Sequence, residues 1–188
     1  KKVHVVYKTH LDIGFTDMGS RVTERYVKEY IPHSVKLAME LNTEKDKKFI
    51  WTLGSFMIDY YLKHAEPEAV EMLERAIGRG DICWHGIACT THTELLDRDL
   101  LNYSLDIGKH LDERFGRTTI ASKMTDVPGH TRGLIAPLCD HGIRYLHIGV
   151  NASSMVPEVP DTFLWKQGNR EIVVQYSGTY GAPGYLSL

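Results

Sequence analysis

Strand-length apolar runs and helix-length amphipathic stretches alternate along most of this chain, and that alternation limits the fold more than any other feature. Lys2 to Lys8 reads as a buried strand. Arg21 to Leu41 reads as a helix with Val22, Tyr26, Val27, Tyr30 and Val35 on one side, kinked or split at Pro32. Lys48 to Leu53 is a second short strand, followed by a helical stretch through Phe56, Tyr60 and Tyr61. Pro67 opens the next helix, whose Val70, Leu73 and Ile77 line one face before Gly78 and Gly80 stop it. Strands at Asp81 to Trp84, Thr119 to Met124 and Arg144 to Ile148 then alternate with helices at Arg98 to Phe115 and Leu134 to His141. Crossovers of helical length join parallel strands, so the predicted class is α/β, a parallel sheet with helices outside. After Asn151 the pattern changes. Pro157, Pro160 and Asp161 mark a loop, and Phe163 to Lys166 with Glu171 to Gln175 reads as a hairpin around Gly168-Asn169.

The 188 residues suffice for one domain with a sizeable core, and an apolar fraction of 43% with 24% charged residues is ordinary for a globular chain. A net charge of -2 gives no electrostatic reason to expect nucleic acid or an anionic membrane surface. The apolar runs are too short to span a bilayer. No signal peptide is visible at Lys1-Lys2, and the abrupt ends read as those of a trimmed or mature piece, which leaves the compartment open. Cys83, Cys89 and Cys139 show no C-x-x-C spacing and are odd in number, so they read as core thiols. Ten histidines is a high count for this length and directs attention to metal sites.

The first strand runs directly into Thr9-His10-Leu11-Asp12-Ile13-Gly14-Phe15. In extended chain His10 and Asp12 point to the same side, and imidazole nitrogen beside carboxylate oxygen suits zinc. The pair alone is also the pattern of a plain surface contact. Thr125-Asp126-Val127-Pro128-Gly129-His130-Thr131 follows a later strand, so Asp126 falls at a strand's C-terminal end, where parallel α/β sheets gather reactive groups. The same edge carries His10 and Asp12, so the three side chains can converge; the alternative for Asp126 is a helix cap in an ordinary turn.

His-x-Asp-x-Gly-aromatic after the first strand, with Asp-x-x-Gly-His-Thr after a later one, resembles the N-terminal catalytic domain of the family 38 α-mannosidases. The similarity spans roughly Lys2 to Asn151. It implies an irregular, seven-stranded β/α barrel-like sheet, incomplete in this chain, with residues 1–188 forming part of one catalytic domain and further C-terminal domains following. It also implies a Zn2+ cofactor held by His10, Asp12 and Asp126, with Asp126 as nucleophile of a retaining glycosidase acting on a carbohydrate substrate. Phe15 stands where the mannosidases usually have a Trp that stacks under the sugar, and Val150 where they tend to carry an Arg. A fourth ligand, a His, and the acid/base carboxylate belong well downstream of the second motif, and neither is assigned here. Trp84 and His85, with Glu94 in the next loop, are expected substrate contacts, His130 is expected to orient Asp126, and His147 reads as a core histidine. Two rivals remain. A polysaccharide deacetylase-like metal hydrolase would show an early Asp-Asp pair and a His-x-x-x-His pair, and this chain has His10-Leu11-Asp12 instead. A non-catalytic carbohydrate-binding relative would keep the site without the acid/base.

Overall fold

In the computed structural model, which describes residues 5–178, the strands fall into two sheets, and neither closes into a barrel. The first is parallel, in the order β1 (Tyr7–Lys8), β2 (Trp51–Gly54), β3 (Ile82–His85). The second contains β4 (Ala121–Asp126), β5 (Tyr145–Val150), β6 (Thr162–Gln167) and β7 (Arg170–Ser177), in the order β4-β5-β7-β6. Its first three neighbours are parallel, and β6 returns antiparallel through the Gly168-Asn169 turn. Seven strands are thus present among the described residues, but the expected barrel-like sheet is split and its last strand reversed. The sheets meet where the Gly86 amide donates to the Ala121 carbonyl at 3.0 Å and the Ile87 amide to Ser122 Oγ at 3.0 Å.

Local chemistry explains where the elements depart from the sequence reading. β1 is shorter than expected because β2 begins opposite Tyr7, leaving Val5 and Val6 unpaired and exposed; Lys2 to His4 lie outside the described residues. β2 starts late because Asn42 captures the backbone before it: Oδ1 accepts from the amides of Lys48 (2.8 Å) and Phe49 (2.9 Å), and Nδ2 donates to the Phe49 carbonyl. Asp112 does the same ahead of β4, taking the Thr119 amide at 2.6 Å and the Thr119 hydroxyl at 2.8 Å.

The long first helix divides into α1 (Gly19–Arg25), a π-helical turn (Tyr26–Tyr30) and α2 (Ile31–Leu41). Pro32 has no amide to continue the ladder and its ring crowds the carbonyl four residues back; the wider turn absorbs this, with the Ile31 amide reaching Tyr26 O. The remaining helices are α3 (Ser55–His64), α4 (Pro67–Gly78), α5 (Arg98–Phe115) and α6 (Ile135–Asp140). Asp97 caps α5 by accepting from the Leu100 amide at 2.7 Å, and Gly116 ends it at φ 62°.

Helices cover one face of each sheet. Leu53, Ile82 and Trp84 pack with Ile31, Ile58 and Leu73; Met124, Ile148 and Val174 pack with Leu105, Ile135 and Leu138. Because side chains alternate, the intervening Thr52, Cys83, His85, Lys123, Thr125 and His147 point to the opposite, inner face. That face is polar, with His85, Lys123 and Thr125 buried and Thr52, Cys83 and His147 half-buried. Lys123 donates to Thr125 Oγ1 at 2.8 Å, and His147 Nε2 lies 3.1 Å from Ser177 Oγ. Burial, with the nearby Lys cations adding to it, pushes His85 down to about 3 and His147 down to about 4, while burial brings Lys123 to about 7. The three cysteines are free and half-buried; Cys89 and Cys139 pack against the two cores, as expected, while Cys83 lies 3.1 Å from the Thr52 hydroxyl. No helix among the described residues is long and apolar enough to cross a membrane.

Candidate metal centre

The end of β1 delivers the first two side chains of a cluster that could hold a metal ion. The Thr9 amide extends the parallel ladder by donating to Thr52 O at 3.1 Å, and Trp51 Nε1 donates to Thr9 Oγ1 at 2.8 Å. The chain is therefore still held to β2 one residue before His10. His10 Nε2 then lies 2.8 Å from Asp12 Oδ1 and 3.7 Å from Asp126 Oδ2. One ligand atom from each of the three residues falls within 4.8 Å of the other two. Ligands about 2.0–2.2 Å from a tetrahedral zinc stand roughly 3.4 Å apart, so the cluster needs only a small widening of the hydrogen-bonded His10–Asp12 pair for its N,O,O donor set to hold such an ion. Thr90 Oγ1 lies 3.3 Å from His10 Nδ1, leaving Nε2 turned toward the carboxylates.

Asp126 reaches the cluster through its backbone. It ends β4 with φ 82°, the one non-glycine residue at positive φ among those described. Such a conformation costs an L-residue energy and persists where neighbours enforce it. Asn151, just past the end of β5, does so: its amide (3.3 Å) and its Nδ2 (2.9 Å) both donate to Asp126 O.

Asp12 and Asp126 open onto a cleft of about 510 Å3 whose walls include Phe15, Thr90, His92, Leu95, Pro128 and Asn151. Phe15 (87% exposed) and Leu95 (79% exposed) present bare apolar surface at its mouth. Glu94 sits beside the cleft: its carboxylate packs against Gly129, at φ 83°, so closely that a side chain there would overlap it. His130 Nδ1 lies 2.8 Å from Thr93 Oγ1, and burial lowers its proton affinity against the opposing charge of Glu94. Its observed side-chain partner is thus Thr93.

Two of the expected substrate contacts lie elsewhere. Trp84 is in the helix-side core, 5% exposed, with Nε1 donating to Asp112 Oδ1 at 2.9 Å. His85 faces the inner side of β3, is 7% exposed and does not line the cleft. Both follow from strand parity: a position at the C-terminal end of β3 points into a packed layer on either side, and the cleft is lined from the loop beyond. Thr90 and Asn151, which steady His10 and Asp126, belong to neither sequence motif. Their positions just past the C-terminal ends of β3 and β5 were the available signal.

The family model described as "Glycosyl hydrolases family 38 N-terminal domain" matches residues 1–185. No curated protein sequence matches the chain. Among solved structures, 4-alpha-glucanotransferase from Thermococcus litoralis is similar with a TM-score of 0.64 at 13% identity, over 91% of this chain and 27% of that one. That likeness is one of fold alone, and this chain spans about a quarter of that enzyme's length.

Proposed function

Because the chain belongs to glycosyl hydrolase family 38 through its N-terminal domain, we propose that it is part of the catalytic domain of a zinc-dependent retaining glycosidase of α-mannosidase type. The observation that carries the reading is the convergence of His10, Asp12 and Asp126 within 4.8 Å at the strand ends that floor the cleft. The chain carries, in this reading, the metal-binding part of that catalytic domain.

In this reading the Asp126 carboxylate attacks the anomeric carbon, and the bond from that carbon to the departing oxygen breaks. The departing oxygen takes its proton from a carboxylic acid, a role not assigned to any described residue. Water then releases the sugar from Asp126, with the same group acting as base. Zinc held by His10, Asp12 and Asp126 would supply Lewis-acidic contact to vicinal sugar hydroxyls. Asn151 holds the Asp126 backbone so that its carboxylate meets the sugar from the cleft floor, and Phe15 offers its exposed ring as a stacking surface. Glu94 and His130 shape the adjoining lip. Trp84 and His85, being buried, are not in the contact set.

The test is hydrolysis of aryl α-mannosides and other aryl glycosides by the full-length protein, with metal content measured and the product anomer followed by NMR. Zinc-dependent release of the α-anomer from α-mannosides supports the reading. Acetate release from N-acetylated sugars without glycoside cleavage would replace it with a deacetylase. Bound zinc without turnover of any glycoside would leave a carbohydrate-binding domain.

A further inference from the structure

Asp12 borders a second cavity as well as the cleft. This one, about 180 Å3, is lined by His10, Asp12, Thr16, Arg25, Tyr26 and Tyr30, with Val22 as its apolar wall. The π-helical turn supplies two of its walls, Tyr26 and Tyr30, and such turns are found often at functional sites. The turn packs Tyr26 edge-on against Tyr30, ring centroids 5.0 Å apart at 85°. It also leaves Tyr26 only 6% exposed. A phenol buried to that degree ordinarily has a hydrogen-bond partner for its hydroxyl. Burial, then Tyr30, then the charge of Asp12 push the phenol up to about 12, so it keeps its proton and acts as a donor. Arg25, bonded to Asp17 Oδ2 at 3.2 Å, closes the wall.

A carboxylate that meets a cation through one oxygen has a second oxygen whose partner fixes the rotation of the group. In Asp12, Oδ1 is the atom turned to His10. We infer that Tyr26 is a positioning residue for the metal centre: through water held in this cavity, its hydroxyl donates to the Asp12 carboxylate and sets the orientation in which Asp12 meets the cation. The cavity has room for water, and its polar walls offer it partners. The inference rests on the metal reading above and adds to it a residue outside both sequence motifs.

The experiment measures zinc affinity of the full-length protein by competition with a chelating dye, and records the visible absorption of the cobalt(II)-loaded form. Tyr26→Phe keeps the ring and removes the hydroxyl; affinity should fall roughly tenfold or more, and the cobalt spectrum should shift. Val22→Ala trims the same cavity without touching a polar group, and should bind zinc like the wild type even where it melts earlier. Unchanged affinity and spectrum in Tyr26→Phe would overturn the role of Tyr26 and leave the metal centre standing. Equal losses in Tyr26→Phe and Val22→Ala would overturn it as well, assigning the effect to packing. A wild-type protein that binds no zinc removes the metal centre, and this inference with it.

Discussion

Asp126 joins a strained backbone to the proposed nucleophile, and two substitutions separate the contributions. Asp126→Ala and Asp126→Gly both remove the carboxylate, so each should lower kcat of the full-length enzyme by roughly a thousandfold or more. At φ 82° glycine carries no penalty while alanine does. Asp126→Gly should therefore exceed Asp126→Ala in unfolding free energy by about 1 kcal/mol, and equal denaturant midpoints would show the strain to be absent. His10→Ala and Asp12→Ala should each lose the bound metal with the far-UV spectrum intact; unchanged zinc stoichiometry would remove them from the ligand set. The two motifs made this trio readable in sequence, because strand-end placement and side-chain alternation are local properties. Strand parity places Trp84 and His85 in packed faces on either side of β3, a choice that the motif spacing does not reveal. Asn151 and Thr90 were missed because their importance lies in what Asp126 and His10 require, which no single segment reveals.

At the scale of elements, the loop between β3 and α5 is held to the end of β2 by close backbone contact. A Cβ on Gly54 would overlap the Ala88 carbonyl, which also accepts from the Phe56 amide at 3.1 Å. Gly54→Ala should thus cost about 1–3 kcal/mol and displace the segment that carries Thr90 to His10, weakening metal affinity along with stability. Gly78→Ala, with open space around its Cβ, is the control and should not destabilise. Thermal melts of the two variants decide the matter, and equal midpoints would contradict the contact. Periodicity located most of the elements, yet their ends shifted wherever a side chain competed for backbone groups, as Asn42 does before β2 and Asp112 before β4. The π-helical turn was visible only as a proline in an apolar stripe. Division into two sheets could not be read at all, since it depends on which strands pair.

For the whole molecule, the polar inner face predicts acid sensitivity. His85 and His147 stay neutral in the fold until about 3 and about 4, whereas unfolded imidazoles take up protons near their ordinary 6.5. Between those limits the unfolded chain binds more protons, so stability is lost as pH falls below about 6.5 and the loss grows down to about 4. Replacing both with Gln should flatten the fall in melting temperature between pH 6.5 and 4 in metal-free protein; an unchanged slope would assign the sensitivity to other groups. The junction between the sheets has a separate consequence. His10 and Asp12 hang from the first sheet and Asp126 from the second, on either side of the contact made by Gly86 and Ala121. A divalent cation seated between them would be a clasp across that seam. At a free concentration a hundred times its Kd, it should add about 2.7 kcal/mol to unfolding. Stripping it with a chelator should let the seam breathe, seen as faster hydrogen exchange at the Gly86 and Ile87 amides.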